Sequence, residues 1–437
     1  METAVVLFTR DLRVQDNPAL AGACRAARTV VPIFVHDPAI RSGPHRDRFL
    51  AGSLADLRQS LRARGGELFE FSGDPVAETL RVARRVGALG VAVSGDVSRY
   101  AKRREGLLAA GCERERMSLR VFPGATVVPA GVLHPAGGEH YRVFTPFWRS
   151  WQATKWRDVE PAPERIVLPA PVPDLGMDQA PAEPARVPAA AGGFAGGESA
   201  GRARVTSWLP DLPAYGDHHD DLPGDRTSRL SPYLHFGCVS ARELAGRVAG
   251  RPGAEPFLRQ LCWRDFYAQV LAAFPDLPSR AYRTAAVESW RPGGDALEAW
   301  RAGQTGVPVV DAGMRQLAAE GWMHNRARLI TASYLTKHLG VDWRAGARHF
   351  ADLLLDADVA NNNGNWQWVA GTGNDTKPYR RFNPIRQAER FDPDGRYVRR
   401  YVPELGSVPD GAVHQPWTLP PPVQAALRYP PRLETLA

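Results

Sequence analysis

Two folds in series are legible in this chain of 437 residues: an α/β domain built on a doubly wound parallel sheet, then an all-helical domain. Three observations predict them. Short apolar runs alternate with helix-like stretches over residues 1–130; a segment rich in Pro, Ala and Gly follows; beyond residue 204 the strand signals largely stop and helical periodicity takes over. A chain of this length also exceeds what one hydrophobic core usually serves. The boundaries read from the sequence are 1–130 for the α/β domain, 131–203 for the connection and 204–437 for the helical domain.

In the first part, "AVVLF" (4–8), "TVVPIFV" (29–35), "ELFEF" (67–71), "GVAVS" (90–94) and "LRVFP" (119–123) read as buried strands. Ala/Leu/Arg-rich stretches at 48–64 and 75–87 read as the helices between them, the spacing of a parallel sheet. No GxGxxG follows the first strand, so the usual dinucleotide fingerprint is absent; the polar "TRDLRVQDNPAL" stands there instead. From 158 to 203 the composition is that of a linker. Then come helical patterns at 240–250, 255–274, 310–321, 325–340 and 343–356.

Composition narrows the class. Lys plus Arg exceed Asp plus Glu by 55 to 47, which permits a polyanionic partner without requiring one. The four cysteines form no CxxC pair, so neither a zinc site nor a disulfide framework is expected. Arg10 and Asp11 interrupt any signal-peptide core, and no apolar run reaches the roughly 20 residues of a membrane helix. A cytoplasmic, metal-free monomer is the expectation. Nine of the twelve tryptophans lie beyond residue 200, which concentrates the unusual chemistry in the helical part.

Four segments there carry chemistry. "DRTSRLSPYLHFG" (225–237) sets Thr227, Ser228 and Ser231 around Arg229, a pattern that suits either an ordinary helix cap or a phosphate held at a helix N-terminus. In "RQLCWRDFY", Gln260, Trp263, Arg264 and Tyr267 recur at helical spacing and would line one face with an amide, an indole, a guanidinium and a phenol. "GWMHNRARL" (321–329) puts Asn325 and Arg328 one turn apart, with Asp356 as the candidate partner of a buried Arg328. Last, "DADVANNNGNWQWVAGTGND" (356–375) combines neutral amides with Trp366 and Trp368 and holds almost no general acid or base.

Taken together, "TSRLSPYL", "WRDFY", "GWMHNR", "DWR" and "ANNNGNWQW", in that order and spacing, resemble the photolyase/cryptochrome flavoproteins, as does the opening "FTRDLRVQDNPAL". The resemblance runs from residue 4 to about 417 and is nearest to the bacterial class I cyclobutane pyrimidine dimer photolyases. It implies FAD, active in its reduced anionic form, and UV-damaged DNA as substrate. Tyr215, Thr227, Ser228, Arg229, Leu230 and Ser231 would hold the pyrophosphate side of the cofactor, with Phe257 beside the flavin and Arg264 in contact with it. Arg328 would pair with Asp356, Asp356 and Asp358 would touch the cofactor, and Asn362 would face the N5 edge of its ring.

The same resemblance gives the aromatic residues their roles. Trp263 and Trp368 would be the two faces that hold a flipped-out dimer, with Gln260, Tyr267, Asn325 and Arg326 around it. Stacking of that kind is worth roughly 1–3 kcal/mol per base, against about a few kcal/mol for pulling a damaged pair out of the helix. Trp366, Trp343 and Trp290 would relay electrons between the flavin and the surface. Arg264, Arg326, Arg380, Arg381 and Arg386 are candidates for phosphate contacts. A second, antenna chromophore is implied in the α/β domain; Arg10, Asp11 and Asp96 fall where deazaflavin-binding members place contacts, so a deazaflavin is favoured over a folate.

Three positions depart from the family pattern: Gln260 stands for a glutamate, Leu329 for a methionine and His219 for an arginine. Gln260 also resembles (6-4) photolyases and animal cryptochromes, so a (6-4) photolyase and a cryptochrome-like photoreceptor are the alternatives. Asn325, where (6-4) enzymes carry a second histidine after His324, and Asn362 both favour dimer repair. A dark oxidoreductase would need a nicotinamide site that the sequence lacks.

Overall fold

The computed structural model describes residues 2–172, 174–176, 192–284, 286, 288–375 and 377–434. In chain order the first part runs β1 (Thr3–Phe8), α1 (Pro18–Ala26), β2 (Thr29–His36), α2 (Pro44–Arg62), β3 (Phe69–Ser72), α3 (Pro75–Arg85), β4 (Gly90–Ser94), α4 (Arg99–Arg114), β5 (Ser118–Phe122) and α5 (Phe144–Ala153). Helices follow: α6 (Glu198–Trp208), α7 (Tyr215–His218), α8 (Ser231–His235), α9 (Ala241–Val248), α10 (Ala254–Ala273), α11 (Gly294–Arg301), α12 (Pro308–Glu320), α13 (Asn325–Ser333), α14 (Trp343–Leu353) and α15 (Val359–Ala370). The described residues fall into two compact units. One lies within Met1–Ala190, Phe194–Leu212 and Ser228–Pro275, the other within Ala191–Gly193, Pro213–Thr227 and Asp276–Ala437.

The first unit is organised by a five-stranded parallel sheet in the order β3-β2-β1-β4-β5. All five predicted strands are present, but β5, read as buried, is largely exposed because it lies at the edge of the sheet. β1 is central and every one of its residues is buried, which is why its sequence is an unbroken apolar run rather than an alternating one. The order reverses between β1 and β4, so the loops after these two strands define the switch point where α/β folds commonly bind ligands.

The loop after β1 is a polar knot inside the fold. Arg13 is buried and donates to the carbonyls of Asp16, Gly237 and Gly124. Asp16, also buried, is clasped by both terminal nitrogens of Arg157 at 2.6 and 2.7 Å and by the Ser240 hydroxyl. Asn17 caps α1 through the Leu20 N–H.

The segment read as a linker is in part laid onto the sheet domain. The Val167 carbonyl accepts from the Val30 N–H at 2.8 Å, and the Ile166 N–H donates to Arg64 at 2.7 Å. Residues 177–191 of that segment lie outside the described residues. Its last residues are not linker at all: α6 opens at Glu198, whose carboxylate accepts from the N–H groups of Val14 and Gln15. Proline-rich composition predicted the lack of periodic structure and could not register these pairings.

In the second unit α12–α15 surround a core that contains Trp300, Trp343 and Trp366. Three of these helices start at a capping side chain: His324 caps α13, Asp342 caps α14 and Asp358 caps α15, a helix the sequence reading did not predict. The predicted helix over 325–340 is continuous only to Ser333, after which one π turn runs from Tyr334 to His338. Among the described residues no helix is long and apolar enough to cross a membrane.

Candidate functional site

α13, α14, α15 and the loop before α15 enclose a cleft of about 500 Å³, part of it open to solvent. Leu329, Ala332, Phe350, Leu354, Val369 and Trp366 give it apolar walls; Asn325, Arg328, Asp356, Asn361, Asn362 and Asn365 supply the polar groups. Arg328 donates from Nη2 to Asp356 Oδ2 at 2.8 Å, the pairing the sequence predicted, and from Nε to the Met323 carbonyl at 2.9 Å. Oδ1 of Asp356 is buried and has no hydrogen-bond partner among the described residues. A buried carboxylate oxygen left without a donor is costly, so this atom calls for an N–H from a ligand.

The amide run is set by the helix that carries it. Asn363 and Asn365 donate back to the carbonyls of Val359 and Asn361. Asn362 Nδ2 donates across to the Ala347 carbonyl of α14 at 2.9 Å, which leaves its oxygen as the end available to a ligand. Asp358, predicted as a cofactor contact, also serves the helix. Its Oδ1 accepts from the N–H and the side-chain amide of Asn361, both at 2.8 Å. An acid ahead of a helix is an N-cap by default, and its position outside the walls of the cleft follows from that duty.

Trp366 is buried between α14 and α15, edge-on to Phe350 at 4.9 Å and to Trp300 at 6.0 Å. Gly346 makes room for it: a Cβ there would lie 2.2 Å from Cη2 of the indole. Trp343, the first residue of α14, is wholly buried and Trp290 half-buried, and both belong to the same core. Trp300, which sequence reasoning passed over, donates its N–H to the Thr331 carbonyl.

On α10, in the first unit, Trp263 lies flat on Phe144, with ring centroids 3.7 Å apart and planes within 3°. One indole face is therefore taken, and a base could stack only on the other. Phe144 stands 119 positions upstream on α5, beyond the reach of any local pattern. Gln260 is exposed and accessible. Tyr267 is not: it is 1% exposed, packed beside Trp263 and Phe266, so it does not meet DNA as predicted. A 20-residue helix with buried residues on several sides turns this position into the core. Arg264 likewise spends its guanidinium on the carbonyls of Ala125 and Leu234. Phe257 is buried against Trp208, 4.4 Å between centroids.

The hydroxyl cluster does not cap a helix. Leu230 occupies the N-cap of α8, Ser231 is its first residue, and no side chain caps it. Ser228 instead accepts from the Leu230 N–H at 3.4 Å, and Arg229 takes a left-handed backbone (φ 51°) with its guanidinium over Phe194. In the second unit Thr227 donates to Asp225, and Tyr215 is buried and stacked on His219, 5.3 Å between centroids.

Near Asn325, which is exposed at the start of α13, Arg326 is not a free cation. It is paired with both oxygens of Asp220 at 2.5 and 3.2 Å and lies over Phe391, so its charge is already partly neutralised. Asp220 lies 106 residues away, in a stretch that gave no signal. Arg380 sits over the Trp368 ring at 5.2 Å, and Arg381 contacts His338.

At the sheet's switch point, Arg10 pairs with Asp96 at 2.8 Å and donates to the His235 carbonyl. Asp11 is 1% exposed and saturated by the Thr9 N–H, the Ser94 hydroxyl and the Asn17 amide. It is a structural group rather than a chromophore contact.

Comparison with known proteins decides what these sites belong to. A family model described as DNA photolyase matches residues 4–169, and one described as the FAD binding domain of DNA photolyase matches residues 257–433. A deoxyribodipyrimidine photo-lyase from Streptomyces griseus is 50% identical over 446 aligned positions, covering 100% of this chain and 97% of that protein. The chain belongs to the photolyase/cryptochrome family. The crystal structure of a bacterial class III photolyase from Agrobacterium tumefaciens superposes with a TM-score of 0.91 at 32% identity, covering 99% of this chain and 94% of that one. An archaeal photolyase from Sulfolobus tokodaii, solved with two FAD molecules, gives 0.84 at 29% identity, with 99% and 96% covered. Photolyase-family membership accounts for a cleft of amides and aromatics: the residues present fit a flavin, whose ring offers a flat apolar surface and an N–H for Asp356 Oδ1.

Proposed function

We propose that the protein is a deoxyribodipyrimidine photo-lyase that repairs cyclobutane pyrimidine dimers in DNA under light. The observation that carries this reading is the cleft between α13 and α15: an unpartnered Asp356 oxygen, the Arg328 pair behind it and the fixed Asn362 amide, among apolar walls. Bound FAD, in its reduced anionic form, supplies the light-driven electron that splits the cyclobutane ring and is returned.

The chain's own residues bind and orient. Arg328 holds the Asp356 carboxylate, whose free oxygen would accept an N–H from the bound ring. Asn362 presents its amide oxygen, a neutral acceptor that offers no proton to the ring edge. Tyr215, the run Thr227–Ser231 and Phe257 remain the residues assigned to the rest of the cofactor. Trp263 and Trp368 are assigned the stacking of the two pyrimidines, and Gln260 and Asn325 the hydrogen bonds to their edges. Phe144 keeps the Trp263 indole from tilting when no substrate is bound. Trp366, Trp343 and Trp290 are assigned the relay that re-reduces oxidised cofactor.

Asn325 argues for dimer repair over (6-4) repair, because it stands where (6-4) enzymes carry a second histidine after His324. For the antenna we favour a deazaflavin, with Arg10 and Asp96 at the switch point as its contacts. The protein is taken to act as a cytoplasmic monomer. The deciding experiment is repair of one thymine dimer in an oligonucleotide by the reduced protein, under blue light and in the dark. Light-dependent loss of the dimer is expected; a persisting dimer with reduced FAD bound would overturn the reading.

A further inference from the structure

The π turn after α13 makes contacts that none of the roles above uses. The Leu339 N–H donates to the Tyr334 carbonyl at 2.9 Å, which inserts one extra residue into the helical register, a feature that recurs at functional sites. Two side chains leave this turn for the segment that follows α15. Lys337 donates to the carbonyl of Ala370, the last residue of α15, at 2.6 Å and to the Pro378 carbonyl at 3.0 Å. His338 donates from Nε2 to the Phe382 carbonyl at 2.8 Å, and the Ser333 hydroxyl accepts from the Phe382 N–H at 3.2 Å.

Gly371 lets these parts approach. It is left-handed (φ 82°), and a Cβ there would lie 2.3 Å from the Pro378 oxygen and 3.0 Å from the Lys337 ammonium. The ammonium is half-buried between two carbonyls that belong to different segments. One is the C-terminal carbonyl of a helix, where a cation is favoured by the dipole. Between the anchors at Pro378 and Phe382 stand Tyr379, 94% exposed, and Arg380 over the Trp368 ring.

We propose that Lys337 is a positioning residue for damaged-DNA recognition: it ties the 378–382 segment to the end of α15, so that Arg380 is held over Trp368 before substrate arrives. This rests on the assignment of Trp368 to the dimer. A structural lysine would be replaceable by any side chain of its length, since its stem alone would fill the space. Holding two main-chain oxygens from separate segments needs the charge and its donors.

The test compares the FAD-bound protein with its Lys337→Met and Lys337→Arg variants in affinity for an oligonucleotide carrying one thymine dimer and for the same oligonucleotide undamaged. Lys337→Met is expected to weaken dimer binding about tenfold, the worth of one charged hydrogen bond, and to change undamaged binding much less. Lys337→Arg should restore most of it. Flavin content and the rate of flavin photoreduction through Trp366 should not move, whereas hydrogen exchange should quicken at 378–382 and not at 359–369. Unchanged dimer affinity in Lys337→Met would overturn the proposal, as would parallel loss of flavin or photoreduction, which would place the lysine's role in α15 itself. If Lys337→Met does not fold, Lys337→Gln is put through the same comparison. A wild-type protein with no preference for the dimer would instead overturn the assignment of Trp368, and the proposal with it.

Discussion

Lowering the pH from 7 to 5 should destabilise the helical unit through one histidine. His324 Nδ1 accepts from the Arg326 N–H at 3.2 Å and so must be unprotonated, because an amide can only donate. The ring is 1% exposed, and its pKa is lowered from 6.5 to about 4. Burial is the largest cause, with Arg326 and Arg328 pushing the same way against Asp220 and Asp221. In the unfolded chain the imidazole takes its proton near its ordinary value; in the folded chain it resists until much lower pH. Stability is therefore complete above the unfolded value and is lost as pH falls through the window between the two. At pH 5 the linkage relation gives a loss of about 2 kcal/mol from this group, against a few tenths at pH 7. Substitution His324→Asn keeps a capping oxygen and removes the titration. Urea unfolding of both proteins at pH 7 and pH 5 should show the wild type losing about 2 kcal/mol more than the variant across that interval. Parallel losses would refute the claim that His324 is held neutral as a cap.

Two further outcomes follow from packing. Trp263→Ala should weaken binding to dimer-containing DNA by about 5- to 150-fold, the equivalent of one stacked base, and Trp263→Phe should recover much of it; a gel-shift titration at fixed salt measures both, and wild-type affinity in Trp263→Ala would refute stacking. Gly346→Ala forces a methyl to within 2.2 Å of the Trp366 ring. It should lower stability by about 1–3 kcal/mol and slow flavin photoreduction, read from a thermal melt and from bleaching of the oxidised flavin band; unchanged values in both would mean the indole has room to shift.

Much of this architecture can be read from the chain because its signals are local. β1, β2 and β4 are mostly apolar runs, and each of α13–α15 begins at a residue that can cap it. The Arg328–Asp356 pair was legible too, since an arginine drawn into the fold needs a counter-charge. What escaped depends on distant partners or on rotation about a helix axis. Arg326 looked like a free cation until Asp220 met it. Tyr267 shares a helical stripe with Trp263 in a wheel diagram, yet α10 is enclosed far enough around its circumference to bury it. The Thr227–Ser231 hydroxyls had two readings, cap or ligand, and sequence spacing is the same for both; Asp358 was read only as a ligand, and its N-cap duty was missed. Lys337 gave no signal at all, because the π turn that aims it cannot be told from an ordinary helix by periodicity.

The two tryptophans of "NWQW" stand two residues apart on α15, and a helix turns about 200° over that interval. Trp366 therefore faces the cleft and the buried core, while Trp368 faces Arg380 and Phe382. Between them Gln367 is wholly buried, its amide gripping the Leu277 and Arg280 carbonyls and the Tyr282 N–H, so α15 cannot roll to bring the indoles together. The helix thus acts as a partition wall with wiring on one side and a workbench on the other. Under the proposed roles, a charge on the inner indoles and a lesion on the outer one would be served by opposite faces of the same helix. Inserting a single residue into that tripeptide would turn the wall by about 100° and join the two compartments.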